Sequence, residues 1–234
     1  MSRRLGPPAG VRTTATPVEG ATRLVLVRHG EATCNVTGVV GGVRGCTGLS
    51  AAGVRQAKAL RERLLDTGEL GEAGALYASV LPRALETAAI VAPGVGIDGT
   101  LAVVADCALC ELHPGEGDGL TWPEFSERFG EPDWDADPTT VLAPGGESWS
   151  GFVARAAGAL GDLVARHGGE TVVVVCHAGV IEASLIAFVP VAPARRLKLR
   201  TEHTALTEWE WSADGWRLLR YNDAAHLALA RVGP

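Results

Sequence analysis

The chain has 234 residues, enough for one large α/β domain or, less economically, two small ones. Hydrophobic residues make up 47% of it, which supports a sizeable core and excludes wholesale disorder. Lys and Arg number 21 against 27 Asp and Glu, and the resulting net charge of −6 argues against nucleic acid or an anionic membrane as main partner.

Residues 1–21 are rich in Gly, Pro, Thr and Arg without periodicity and are expected to form a flexible N-terminal arm, with residues 22–234 as a single domain. Gly6, Pro7, Pro8 and Gly10 follow Arg3 and Arg4 where an export signal needs an apolar stretch, so the expected setting is cytoplasmic, with Cys34, Cys46, Cys107, Cys110 and Cys176 reduced. No apolar run is long enough to span a membrane.

From Thr22 onward, strand-like and helix-like segments alternate. Leu24 to Val27 form a continuous apolar strand that runs directly into Arg28, His29, Gly30 and Glu31. Ser50 reads as an N-cap for a helix carrying Val54, Ala57, Leu60 and Leu64, which Gly68 ends. A short strand is expected over Ala75–Ser79, and Pro82 opens a helix to about Ala92. Cys107–Asp118 reads as a strand end and a loop, Thr121–Phe129 as a short helix, and Glu131–Gly146 as loop. Trp149, Phe152, Val153, Ala156, Leu160, Leu163 and Val164 keep helical spacing up to Gly168 and Gly169. Thr171–Cys176, with four valines in a row, is a buried strand by composition, and a helix with Ile181, Leu185 and Phe188 follows. Thr204–Trp211 and Trp216–Tyr221 flank an Asp214-Gly215 turn and read as a hairpin whose tryptophans pack rather than stack on bases. This alternation predicts an α/β fold: a three-layer α/β/α sandwich with a mostly parallel central sheet.

In such sheets ligands bind outside the carboxyl ends of the strands. Two buried strands end in histidine there, Val27-Arg28-His29 and Val175-Cys176-His177; if they are parallel neighbours, the imidazoles meet. Arg83 stands in the first turn of the helix after the second strand, and Ala178 and Gly179 open another helix N-terminus. Two guanidiniums, two imidazoles and helix N-termini aimed at one edge make an anion site suited to phosphate. Neighbouring cations keep an imidazole neutral, so it can attack phosphorus and split one displacement into two. Glu111 is the carboxylic acid best placed to protonate the leaving oxygen. Glu31 reads as a brace of the turn. Cys107, Cys110 and His113 have metal-ligand character, but no fourth spaced ligand follows, and neither a metal nor an organic cofactor is expected. Gly146-Glu147-Ser148-Trp149-Ser150 puts serine, Ser150, where a nucleophile elbow needs its second glycine, which disfavours a serine hydrolase.

At this point the chain resembles the phosphoglycerate-mutase-like histidine phosphatases. The matching stretches are "LVRHGEATCN", "TGLSAAGVRQA", "YASVLPRALETA", "ELHPGEGDGLTW", "PGGES", "VVVCHAGVI" and "YNDAAHL", in family order and spanning nearly everything from Arg23 to Leu227. The resemblance implies His29 as phosphorylated nucleophile and Glu111 as proton donor and later base toward water. It places Arg28, Arg83 and His177 in the phosphate pocket, adds Asn35 as a phosphate contact, and implies no metal. Cofactor-dependent mutases of the family carry a longer insertion between the acid and the second histidine. Here that interval is 177 − 111 = 66 residues, and "GEGDGLTW" resembles the broad-specificity phosphatase branch, so hydrolysis of a small phosphorylated metabolite is expected over phosphotransfer or non-catalytic binding. The chain departs from the family pattern at Cys34, where tryptophan is frequent, at Cys176, where serine is common, and in the loop Val39–Cys46. That loop should line the mouth and bear on which substrate is taken. Monomer and homodimer are both compatible with the sequence.

Overall fold

The computed structural model describes residues 18–189 and 199–230. The arm expected over residues 1–21 therefore falls mostly outside the described residues. Strand β1 (Thr22–Arg28) lies inside a six-stranded sheet with β2 (Ala73–Ala78), β3 (Val103–Ala105), β4 (Thr171–Cys176), β5 (Leu206–Ser212) and β6 (Gly215–Asp223), in the order β3-β2-β4-β1-β5-β6. The pairings β3·β2, β2·β4 and β4·β1 are parallel; β1·β5 and β5·β6 are antiparallel. The sheet is thus parallel on one side and closed by an antiparallel hairpin on the other.

Helices cover both faces, because the centres of β1 (Leu24 to Val27) and β4 (Val172 to Val175) are continuous apolar runs buried on both sides. Leu24, Leu26, Val172 and Val174 pack on one side with α5 (Trp149–Arg166) and α6 (Ala178–Phe188). Val25, Val27, Val173 and Val175 pack on the other with α2 (Ala51–Thr67) and α3 (Pro82–Val91). Period-2 alternation of side chains splits one valine run between two cores. Ser50 caps α2 by accepting from Gly53 N, Ser148 caps α5 by accepting from Gly151 N, and Pro82 occupies the first turn of α3. Ser148 is therefore a helix cap. Thr121 and Glu124 form a capping box on α4 (Trp122–Phe129), and a single short turn, α1 (Thr33–Thr37), follows β1.

The hairpin tryptophans are packing residues. Trp216 stacks on Phe188 at 3.8 Å, and the buried Trp209 donates its indole N–H to Ser184 Oγ at 3.1 Å. The last short helix, α7 (Ala225–Ala230), carries His226, which pairs with Thr204 Oγ1 at 2.8 Å. Among the described residues no helix is long and apolar enough to cross a membrane.

Candidate active site

The register of the two central strands builds the site. β1 and β4 run parallel with Val27 opposite Val175 and Arg28 opposite Cys176, so His29 and His177 leave the sheet side by side. Their ring centroids are 5.1 Å apart, and His29 N bonds Cys176 O at 2.9 Å. Gly30 then lets the start of α2 come close: a Cβ there would lie 2.6 Å from Gly53 O. Glu31 braces this contact, its carboxylate accepting from Ser50 Oγ at 2.6 Å while its own N–H donates to Gln56 at 2.8 Å.

Hydrogen bonding settles the state of His29. Its Nδ1 lies 2.6 Å from Gly30 O, and a carbonyl only accepts, so Nδ1 carries the proton. Its Nε2 receives Arg83 Nε–H at 3.2 Å, and a guanidinium only donates, so Nε2 carries the lone pair. Burial, then Arg83 and Arg28, hold the ring well below the usual histidine range. The result is a fully buried neutral imidazole with its lone pair aimed at a cation. Arg83 is itself fixed by donating Nη1–H to Gly41 O at 2.6 Å.

Arg28 donates to Thr201 O, while its Nε finds no partner among the described residues. Burial depresses its guanidinium more than the nearby Glu111 raises it. His177 is completely enclosed and neither ring nitrogen has a partner among the described residues. Burial, then Arg83 and His29, keep it neutral too. Two nitrogens without a partner among the described residues are unusual on a buried ring.

A cavity of about 490 Å³ opens beside these groups. Of the residues singled out in the sequence, Arg28, His29, Asn35, Arg83, Glu111 and Ala178 line it, as do Val39, Val40 and Gly41 of the expected mouth loop. His177, buried against the His29 ring, is not among the residues that line it. Glu111 is held by two backbone donors, Gly179 N to Oε2 at 3.1 Å and Leu112 N to Oε1 at 3.2 Å. Asn35 Oδ1 accepts from Ala32 N at 3.0 Å, so this residue caps α1 as well as lining the cavity. Arg44 turns from the mouth toward Asp118, whose carboxylate gathers the N–H groups of Gly42, Arg44 and Gly45 and sets the loop's shape. Trp122, Phe125, Trp134, Leu142 and Trp149 add an apolar wall.

Three features escape the sequence reading. His203 stands 5.7 Å from His29, its pKa lowered to about 4 chiefly by burial and then by Arg28. It comes from a stretch without periodicity, carried across the end of β1 by the bond from Thr204 N to Arg28 O at 2.9 Å. Cys34, on the cavity wall, shares a hydrogen bond with Cys46; that bond lowers the Cys46 thiol and raises Cys34. Arg155 clamps the segment that carries Glu111, donating to the carbonyls of Ala108, Cys110 and Glu111 and to both oxygens of Glu147. Cys176, by contrast, is a core thiol whose pKa burial pushes up.

The chain is similar to known proteins. A metal-independent phosphoserine phosphatase of Arabidopsis thaliana is 32% identical over 213 residues, covering 88% of this chain and 84% of that protein. Phosphoglycerate mutase-like protein 4 of the same plant is 32% identical over 208 residues, covering 87% of this chain and 86% of its own. Among solved structures, Bacillus stearothermophilus YhfR superposes with a TM-score of 0.74 at 30% identity, covering 88% of this chain and 99% of that one. Relatives named as phosphatases support phosphatase activity here. The model of the histidine phosphatase superfamily (branch 1) matches residues 24–224, and the chain belongs to that family.

Proposed function

We propose that the protein is a metal-independent phosphomonoesterase that hydrolyses a small phosphorylated metabolite through a phosphohistidine on His29. The observation that carries this reading is the state of His29, with Nδ1–H committed to Gly30 O and the unprotonated Nε2 turned toward the Arg83 guanidinium, whose Nε–H it accepts. Nε2 attacks phosphorus in line with the ester oxygen. Arg28 and Arg83 receive the phosphoryl oxygens from the cavity wall, His177 does so from its place against His29, and Asn35 adds a contact at the rim. The P–O bond to the leaving group breaks as the N–P bond forms, and protonated Glu111 gives its proton to the departing oxygen. Glu111, now a carboxylate, takes a proton from water, whose oxygen displaces His29 from phosphorus and releases inorganic phosphate.

The neutral state of both histidines suits this chemistry: His29 must offer a lone pair, and His177 can donate one N–H without adding another buried charge. The guanidiniums and the N-terminus of α6 supply the anion contacts. The cytoplasmic setting and the single domain over residues 22–234 belong to the same proposal.

The test is phosphate release from a panel of phosphomonoesters, phosphoserine and sugar-acid phosphates included, with and without a strong chelator, for wild type and His29→Ala. The proposal expects turnover by wild type alone, unchanged by chelator. The relative named as mutase-like keeps phosphotransfer as the competing reading. Phosphate transfer that depends on a second phosphorylated compound would favour it, and no turnover under any condition would favour a binding role.

A further inference from the structure

Beside the catalytic cavity lies a second cluster of chemistry-bearing side chains. The turn Cys107–Leu109, capped by Asp106, brings two thiols of a C-x-x-C spacing together, and His113 closes on them. Cys107 Sγ is 3.4 Å from Cys110 Sγ and 3.7 Å from His113 Nε2, and the donor atoms of all three lie within 4.8 Å of one another. With metal–sulfur and metal–nitrogen bonds of about 2.3 and 2.0 Å, a tetrahedral site separates two sulfurs by about 3.8 Å and sulfur from nitrogen by about 3.5 Å. The two pairs that Cys107 makes therefore already stand within a few tenths of an ångström of a loaded geometry, and the third donor pair lies within 4.8 Å.

The surroundings match a metal site beyond its ligands. His113 turns Nδ1 toward Glu147 Oε2, 3.5 Å away, which directs the Nε2 lone pair at the thiols. A carboxylate behind a ligating histidine is the usual outer partner of a bound cation. Glu147 is in turn held by Arg155, which also grips the carbonyls of Ala108 and Cys110, so the ligand loop is fixed before anything binds. Ser79 Oγ–H donates to Cys110 Sγ at 3.3 Å. Cys110 is buried while Cys107 is exposed, which gives an entry path and leaves a fourth coordination position facing solvent.

We propose that Cys107, Cys110 and His113 form a binding site for one thiophilic divalent cation of the zinc class, completed by water. None of the three lines the cavity that holds His29, so the cation takes no part in the phosphoryl chemistry. Its ligands Cys110 and His113 flank Glu111 in the chain, a segment that Arg155 already holds in place. The proposal does not depend on the phosphatase reading.

The experiment titrates the reduced, chelator-stripped full chain with cobalt(II) and follows the thiolate-to-metal charge-transfer absorption, then displaces the cobalt with zinc. One equivalent should bind to wild type with that absorption, and zinc should abolish it. Cys107→Ser and His113→Ala should lose the absorption at that stoichiometry while keeping the wild-type circular dichroism, whereas Cys46→Ser, at the other thiol pair, should retain it. No charge-transfer band in wild type, or a band that survives Cys107→Ser, or one that disappears in Cys46→Ser alone, would overturn the site. A band in a protein without phosphatase activity would leave this site standing and sink the catalytic reading. An active phosphatase without a band would do the reverse.

Discussion

Gly179→Ala separates the position of Glu111 from the stability of the fold. Gly179 is the second residue of α6 and its N–H holds Glu111 Oε2. An alanine Cβ at that place would overlap Glu111 Oε1 and lie 3.0 Å from Phe152 Cζ. The obstruction is the end of a flexible side chain, so the clash is relieved by moving the carboxylate, by about 1 Å, rather than by moving the helix. Helix propensity favours alanine over glycine by up to about 1 kcal/mol, offsetting the contact with Phe152, so stability should change by less than about 1 kcal/mol. A displacement of about 1 Å at a reacting group costs on the order of 100-fold in rate. That corresponds to about 2.7 kcal/mol of barrier. Steady-state kinetics on the best ester, beside thermal unfolding, should show kcat lowered about 100-fold with a Tm within about 4 °C of wild type. In a Glu111→Gln background the same change should add little, because the two act through one group. An undiminished kcat in Gly179→Ala would refute the reasoning, as would a full additional loss in the double variant.

Arg155→Met should lower stability by about 3 kcal/mol, since it strands the half-buried Glu147 carboxylate and three carbonyls. For a chain of this size that is a Tm fall of about 6–12 °C, and an unchanged Tm would show that the clamp contributes nothing. The buried histidines should make the fold sensitive to acid. His29 and His177 titrate well below 6.5 and His203 and His226 near 4, so below pH 6.5 the unfolded chain takes up protons that the folded one refuses. Stability is therefore full above about pH 6.5 and falls as pH drops toward 4. For the fully enclosed His226 the loss reaches about 3 kcal/mol, so urea midpoints should fall from pH 7 to pH 5, and less steeply in His226→Gln; equal slopes would contradict this.

Much of the fold and site is written in local patterns. The two strand ends are legible because continuous apolar runs stop at charged or imidazole residues, and parallel pairing follows from burial on both faces. The helices over Ala51–Thr67 and Trp149–Arg166 carry clear caps and spacing. What escapes is what tertiary structure alone brings together. β3 spans only Val103–Ala105 and is mostly exposed, too short and too wet for a periodic signal. β2 begins at Ala73, two residues before the expected Ala75, because a register shift beside β4 breaks the alternation there. His203 reaches His29 through the antiparallel pairing of β5 with β1 and a turn at Thr204, where φ is +58°. Arg155 looks like any helix surface charge until the loop before α4 is seen beneath it. Cys107, Cys110 and His113 are close in sequence, yet spacing alone does not say that His113 folds back onto the thiols.

The most direct test of the central claim is a rapid-quench experiment with a turned-over phosphomonoester, stopped in alkali and followed by peptide mass spectrometry. The account predicts a transient phosphoryl group on His29, lost on acidification and absent from His29→Ala. Turnover without label on His29, or with the label on another residue, would contradict it.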